Sequence, residues 1–428
     1  MPHAQIRIAV RLLAATALVA AAAAPVKARP AASSSSLPLV EPGFVVTSYV
    51  ATGGTPSSVA FGHDTRKGAD GDRLYIADYA GNRVLVVDDL AGAGTEPEVF
   101  AGGFRGPLGV LSGPDGSIYV SDSESSREGP WGFRPYGRVW RVRDTDGDGI
   151  GDKRNLVLKD LPNGRHNTNG MAWGPDGLLY VTNGNSTDDG VEGGESEVIP
   201  WSGSVVRVDP RAKNLSAAKL DPRRAVVAHG LRNIYDAAFS PVDPTKLFIP
   251  MNGIDDARKG STGENPLDPN LADSDDLLYM TDINDRSTDD FGYPSCLYNV
   301  AKKGNLRPYD SPNPVVRKRF GGCDERSVPR PVASFGLHTS SDGLAFQTSD
   351  EWGKDYVNDL FVAEWGNIFG PPAGHDVVRV QLDRSGTKVI SQEVFLYADL
   401  PLDLAFDRTG AMYVADFSGT IWKVDRVP

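Results

Sequence analysis

The stretch from Arg165 to Ser186, RHNTNGMAWGPDGLLYVTNGNS, constrains this chain more than any other. A polar lead-in with one histidine runs into a short apolar strand, Gly170 to Trp173. A Gly-Pro-Asp-Gly turn follows, and then a second strand, Leu178 to Thr182. Pro175 presets φ at the first corner, Asp176 can cap its own backbone, and Gly177 takes the φ > 0 position that a β-carbon resists. The result is a tight hairpin, and the same unit recurs along the chain.

Six such units can be read. They begin at Ser57, at Pro107, in the Arg165 stretch itself, and at Asn233, Ser341 and Leu402. Each supplies an apolar strand, a turn rich in Gly, Pro and Asp, a second strand ending in small polar residues, and a third with alternating apolar positions. A sheet of this kind has two hydrophobic faces that it cannot bury alone. Packing six of them radially buries both and protects the strand edges. The predicted fold is therefore all-β, a six-bladed β-propeller of four-stranded antiparallel blades spanning residues 41–428. The apolar strand FVVTSYV, Phe44 to Val50, has no partner in unit one and is expected to close the ring by joining the last blade.

Residues 1–28 have a basic start (Arg7, Arg11), an apolar run from Leu12 to Ala24 and the small-residue site Val26-Lys27-Ala28. They read as a secretory signal, too short for a convincing membrane span, and residues 29–40 as a serine-rich linker. Export implies a secreted or periplasmic chain with no stable membrane span after processing. The even pair Cys296 and Cys323 then reads as one disulfide, worth about 3 kcal/mol on loop-entropy grounds, with a redox dithiol and two buried free thiols as the other readings. It falls in the longest insertion, Asp282 to Phe335. A formal charge of −12, with no Lys/Arg run longer than Arg317-Lys318-Arg319, argues against a nucleic-acid partner and favours small neutral or cationic ligands and Ca²⁺.

Residues just ahead of the first strand of each blade converge on one end of the central channel. Three of the six histidines stand there: His166, His229 and His338, with Arg232 and Asn233 beside them. Asp236, Asp342 and Asp403 open their strands in the same neighbourhood. A neutral imidazole can take a hydroxyl proton while an arginine holds a carbonyl or carboxylate, and a three-histidine metal site is a competing reading. Separately, DTDGDGIGD resembles the start of a calcium loop, with Asp144, Asp146, Asp148, the Ile150 carbonyl and Asp152 as ligands. Asn155 stands where an EF-hand has its bidentate glutamate, and an acidic solvated hairpin is the alternative. Asn185 and Asn214 open glycosylation acceptor patterns, of weight only in a eukaryotic host.

The order RHNTNGMAWGPDGLLYVTNGNS, HGLRNIYDAAFSP, MNGIDD, FGYP and HTSSDGLAFQTSDEW…NDLFVAEWGN resembles the soluble glucose/sorbosone dehydrogenases. Those are six-bladed propellers that use pyrroloquinoline quinone (PQQ) and Ca²⁺. The resemblance covers most of the chain after residue 40. It implies an oxidoreductase acting on a sugar or related alcohol, with electrons passing to a separate acceptor. By position it makes His166 the catalytic base and Arg232 and Asn233 the quinone-holding pair. Gly253 and Ile254 fall where backbone carbonyls meet the cofactor's Ca²⁺, and His338 lies in the cofactor's neighbourhood. Three positions depart from the family pattern. Asn185 replaces an aspartate, Ile254 replaces a proline, and Pro401-Leu402 stand where arginines would meet the cofactor's carboxylates. A propeller that binds a ligand without redox chemistry, or a calcium-dependent lactonase-like hydrolase recruiting Asp236, Asp342 and Asp403, would use the same scaffold.

Overall fold

The computed structural model describes residues 38–69, 71–87, 96–186, 201–253, 274–285, 288–293, 296–298, 300, 306–308, 328–367 and 373–427. Expectations for the signal segment, Ile254 and Cys323 fall outside them, and of Cys296 only the backbone is described. Among the described residues no helix is long and apolar enough to cross a membrane.

Among the described residues there are seven sheets: a two-stranded one, Cys296–Tyr298 with Leu306–Pro308, and six larger ones, the blades, whose first four strands pair antiparallel. Blade one is Pro56–His63, Asp72–Asp78, Arg83–Val87 and Glu98–Gly102. Blade two is Gly109–Ser112, Ile118–Gly129, Gly132–Arg143 and Lys153–Pro162. Blade three is Thr168–Trp173, Leu179–Asn183, Ser204–Val208 and Val226–His229. Blade four is Ala238–Phe239, Lys246–Met251, Asp275–Asp282 and Ala333–Leu337. Blade five is Ser341–Phe346, Leu360–Glu364, Asp376–Leu382 and Val389–Tyr397. Blade six is Pro401–Phe406, Met412–Asp416 and Thr420–Arg426 with Phe44–Ala51 on its outside. The first strand of each blade touches the first strand of the next, and blade six returns to blade one. The ring is closed.

Closure follows the expectation from the sequence. Phe44–Ala51 pairs antiparallel with Thr420–Arg426, from Phe44 opposite Arg426 to Ala51 opposite Thr420. Phe44 is pinned from the neighbouring blade by Trp352, Tyr356 and Phe395, with ring centroids 4.7, 5.4 and 4.9 Å away. Two blades differ from the four-stranded expectation. Leu215–Ser216 adds to blade two and Asp289–Asp290 to blade three, each in parallel pairing. The insertion Ser123 to Tyr136 is no irregular loop, since it prolongs a hairpin whose strands pair as far as Gly129 opposite Gly132.

The core is divided by blade interfaces. Six buried clusters each join two adjacent blades, for example Tyr75 and Phe100 of blade one with Val120 and Val142 of blade two. Each fully buried Val, Leu or Phe contributes about 1.5–3 kcal/mol of transfer free energy. The repeating turn behaves as read: Gly177 has φ +74°, its N–H donates to the Gly174 carbonyl at 2.9 Å, and Asp176 Oδ1 accepts from Leu178 N–H at 3.1 Å. The inner strands crowd at the axis. A β-carbon at Gly109 would stand 2.5 Å from the Asn169 carbonyl oxygen, so glycine is required there.

Candidate functional site

His166 sits between the outer strand of blade two and the inner strand of blade three. Arg165 and His166 donate backbone N–H groups to Ser186 and Asn185 carbonyls at 2.8 and 2.9 Å. Gly184 N–H donates to the Asn167 carbonyl at 2.9 Å. These bonds lay the histidine segment along the exit of blade three's second strand. Gly184 makes the approach possible: a β-carbon there would lie 2.5 Å from His166 Cβ and 3.2 Å from Asn233 Oδ1.

The imidazole Nδ1 lies 2.6 Å from Asn185 Oδ1. An amide oxygen only accepts, so Nδ1 carries the proton and Nε2 keeps its lone pair. Asn185 is in turn held by its Nδ2, which donates to Tyr293 Oη at 3.4 Å. Burial first, and the Arg232 guanidinium second, push His166 well below the usual imidazole range. At neutral pH the ring is an uncharged base.

Arg232 is 2% exposed and donates from Nη1 to the Gly253 carbonyl at 2.6 Å, while its own carbonyl accepts from Asn185 N–H at 3.0 Å. The Asn233 carbonyl accepts from Asn252 N–H at 2.9 Å. Asn252 Nδ2 reaches Ser340 Oγ and Asp342 Oδ1 at 3.2 and 3.1 Å, and its Oδ1 is buried with no partner among the described residues. Asp276, 1% exposed, accepts from Gly253 N–H at 2.5 Å, Thr339 Oγ1 at 2.9 Å and Ser340 N–H at 2.6 Å. It ties blade four's loop to the segment before blade five. Sequence reasoning missed Asn252 and Asp276, and the only signal was their adjacency to Gly253 and to DDLLYMTD.

The structure brings His166, Arg232, Asn233 and Gly253 together. His338 lies on the adjoining segment with φ +61°, half-buried, immediately before Thr339 and Ser340. His229 does not converge with them. It ends the fourth strand of blade three, beside the added Asp289–Asp290 strand, with a side chain 47% exposed and 3.7 Å from Asp290 Oδ1. A residue closing an outer strand is farthest from the axis, so the three-histidine metal reading fails on topology.

The axial aspartates are structural in their contacts. Asp403 accepts from Val59 N–H at 3.0 Å, across the closing interface of the ring, and from Leu404 N–H at 2.8 Å. Burial raises Asp403 to about 6, and burial with repulsion from Asp403 raises Asp236 well above the carboxylate range. Asp342 accepts from Asn252 and from Ser340 Oγ. Among the described residues these three do not form a compact ligand set; the one that does is Asp144, Asp146 and Asp148. In that loop Asp144 accepts from Gly147 and Gly149 N–H at 2.7 and 2.8 Å and Asp148 from Ile150 N–H at 2.8 Å. Asp152 stands apart, with both oxygens on Thr145 at 2.8 and 2.5 Å.

The fold and the site together define a closed six-bladed propeller with a neutral histidine and a buried arginine at one end of its channel. Solved structures share that architecture. The calcium structure of a Trichoderma reesei enzyme of Carbohydrate-Active Enzymes Family AA12 has TM-score 0.68 and 16% identity, covering 91% of this chain and 97% of that one. The holo form of the pyranose dehydrogenase PQQ domain from Coprinopsis cinerea has TM-score 0.68 and 17% identity, covering 93% and 99%. The apo soluble aldose sugar dehydrogenase from Escherichia coli has TM-score 0.59 and 18% identity, covering 90% and 99%. At these identities the likeness establishes the fold.

Residues 134–228 match a family model described as a domain of unknown function, DUF7133. An uncharacterized protein of Borreliella burgdorferi is 24% identical over 232 residues, 51% of this chain and 54% of its own length. The match thus spans about half of that relative.

Proposed function

We propose that this protein is an exported oxidoreductase that oxidises a sugar or related alcohol, with pyrroloquinoline quinone and Ca²⁺ at the His166 end of the channel. The observation that carries the reading is the neutral His166, its proton fixed on Nδ1 by Asn185 and its ring beside the Arg232 guanidinium. The residues of blades three and four suit the cofactor. Among the described residues Asn252 Oδ1 is a buried acceptor without a donor, the kind of oxygen a hard cation takes, and it adjoins in sequence Gly253, whose carbonyl holds Arg232. Arg165, Arg232 and Asn233 offer the donors that a planar polycarboxylate requires. When bound, the quinone with its Ca²⁺ would supply the hydride acceptor.

The rest of the reaction belongs to this chain. His166 Nε2 accepts the proton of the substrate hydroxyl as hydride leaves the same carbon, so the C–OH becomes C=O. Asn185 holds the tautomer that makes Nε2 available. Arg232 is locked by its bond to Gly253 and orients the acidic or carbonyl part of what binds beside it. Burial of the ring keeps it uncharged until the proton arrives.

The test is to titrate the purified protein with pyrroloquinoline quinone and Ca²⁺ and follow dye reduction with a panel of aldoses. Saturable quinone binding and reduction, abolished in His166→Ala with unfolding temperature unchanged, supports the reading. Absence of quinone binding favours the second reading, a ligand-binding propeller without redox chemistry. That reading draws on Pro401 and Leu402, buried where the resemblance leads one to expect arginines.

A further inference from the structure

In each blade the second strand ends toward the mouth that carries His166, facing the start of the third. In blade one that place pairs Asp78 with Arg83 at 2.8 Å, and in blade two Asp122 with Arg138 at 2.6 Å. Blade six sets Asp416 opposite Thr420. Blade five departs from all of these, because Glu364 stands opposite Asp376, an acid where the first two blades have an arginine.

Register extends the row across the whole blade: Ser341, Glu364, Asp376 and Tyr397 lie side by side on its four strands. Side chains directly opposite in an antiparallel pair approach to about 5 Å between β-carbons, so two carboxylates there repel. Solvent screens them little, since Glu364 is 3% and Asp376 6% exposed. Asp376 Oδ1 is buried with no donor among the described residues. The two carboxyl groups nevertheless hydrogen-bond to each other, which requires that one of them carry a proton.

The surroundings keep that proton on Glu364. Burial first, then the charges of Asp376 and of Asp276 in blade four, pushes Glu364 well above the carboxylate range. Burial raises Asp376 too, while the hydrogen bond with Glu364 and the charge of His375 favour its anion. His375 itself donates through Nδ1 to the Asp399 carbonyl at 2.6 Å. Tyr397 is 53% exposed, and Asp342 turns to Asn252 and Ser340.

The pair reaches the mouth through hydroxyls. Ser341 Oγ donates to Glu364 Oε1 at 3.4 Å and lies 3.1 Å from Thr339 Oγ1, whose own proton goes to Asp276. Trp365 and Gly366, the residues after Glu364, donate N–H groups to the Ser340 and Thr339 carbonyls, each at 2.9 Å. The segment held in this way is strained. His338 and Ser340 have φ +61° and +52°, a region that non-glycine residues keep only where their surroundings hold them.

We propose that Glu364 and Asp376 share one proton at neutral pH and form a latch that holds the Thr339–Ser341 segment of the mouth in place and releases it when alkaline pH removes the proton. The latch needs no cofactor and stands apart from the oxidoreductase reading.

The experiment follows denaturant unfolding of the full chain, of Glu364→Gln, of Asp376→Asn and of the double variant from pH 5 to 10. A group with a raised folded pKa gives stability that is full below its unfolded value, 4.5 for this glutamate, and is lost as pH rises through the folded one. The unfolding constant of the parent is therefore expected to rise against that of Glu364→Gln by about tenfold per pH unit above pH 5, until the pair ionises. The titration of Asp403 cancels from this ratio. Asp376→Asn is expected to show the same dependence and the double variant no more than either single one, because one proton is at stake. A ratio independent of pH, or effects of the two substitutions that add, overturns the shared proton. Hydrogen exchange at the Trp365 and Gly366 amides, corrected for the intrinsic rate, reads the latch: protection falls in the parent as the pair ionises and persists in Glu364→Gln. Protection that is unchanged in the parent through the pH where the ratio levels off overturns the latch.

Discussion

Asn185 Oδ1 accepts the Nδ1 proton of His166 at 2.6 Å, so the base is oriented by a neutral amide and not by a carboxylate. The geometry expected of a histidine and its orienting partner is present. The charge that would stabilise the imidazolium is absent.

Asn185→Asp therefore raises the affinity of His166 for a proton, because a carboxylate offsets both burial and the Arg232 charge that depress it. The acid limb of the kcat/KM profile is expected to move to higher pH. A profile that stays in place shows that another group sets the limb.

His166→Gln removes the proton acceptor and keeps the volume. Turnover with the loaded enzyme is expected to fall about 10²–10⁴-fold, the range of general-base catalysis, with quinone affinity little altered. A fall of less than tenfold assigns the proton to another group.

Asp403 titrates near 6, against an ordinary value of 3.8, because burial disfavours its charge. Its folded pKa is raised, so its stability contribution is full below about pH 4 and is lost as pH rises through 6. Asp403→Asn removes that loss. It should stabilise the protein by on the order of 1–3 kcal/mol at pH 7 and by little at pH 4, read from denaturant unfolding at both values. A gain that is larger at pH 4 contradicts the assignment.

Asp144, Asp146 and Asp148 face one another within binding reach of one cation. Ca²⁺ at a hundred times its dissociation constant should stabilise the fold by about 2.7 kcal/mol, and Asp146→Asn should abolish the shift in unfolding temperature. Equal unfolding temperatures with Ca²⁺ and with chelator return the loop to an acidic solvated turn.

Trp352 is 2% exposed and packs on Phe44, Phe361 and Phe395 at 4.7, 5.7 and 5.4 Å. Trp352→Ala should cost about 3–5 kcal/mol, since the cavity opens where the first strand is anchored to the ring. A loss under 1 kcal/mol in denaturant unfolding would show that strand pairing alone holds the ring shut.

The blades, their number and the closing strand could be read from the sequence because each is a local pattern, a turn chemistry or a two-residue periodicity. Phe44 to Val50 was legible as the last blade's partner because an apolar strand with no local mate must pair elsewhere. His166, Arg232 and Asn233 were legible from their place before inner strands. The same reasoning misplaced His229, because two residues ahead of comparable strands can belong to different radii of the blade. Asn252 and Asp276 escaped notice because their importance lies in contacts between blades, and residues about 90 and 60 positions from their partners carry no local signature.

What the linear order of residues settled was the repeat: which segments are strands, where the chain turns, and that six sheets bury one another. What only the tertiary structure decided was which side chains share the mouth of the channel. His166 meets Asn185 and Arg232, while Asp276 meets Thr339 and Ser340. Turn and strand preferences act over a few residues, whereas those meetings depend on how tightly inner strands converge and which backbone carbonyls have already taken a donor.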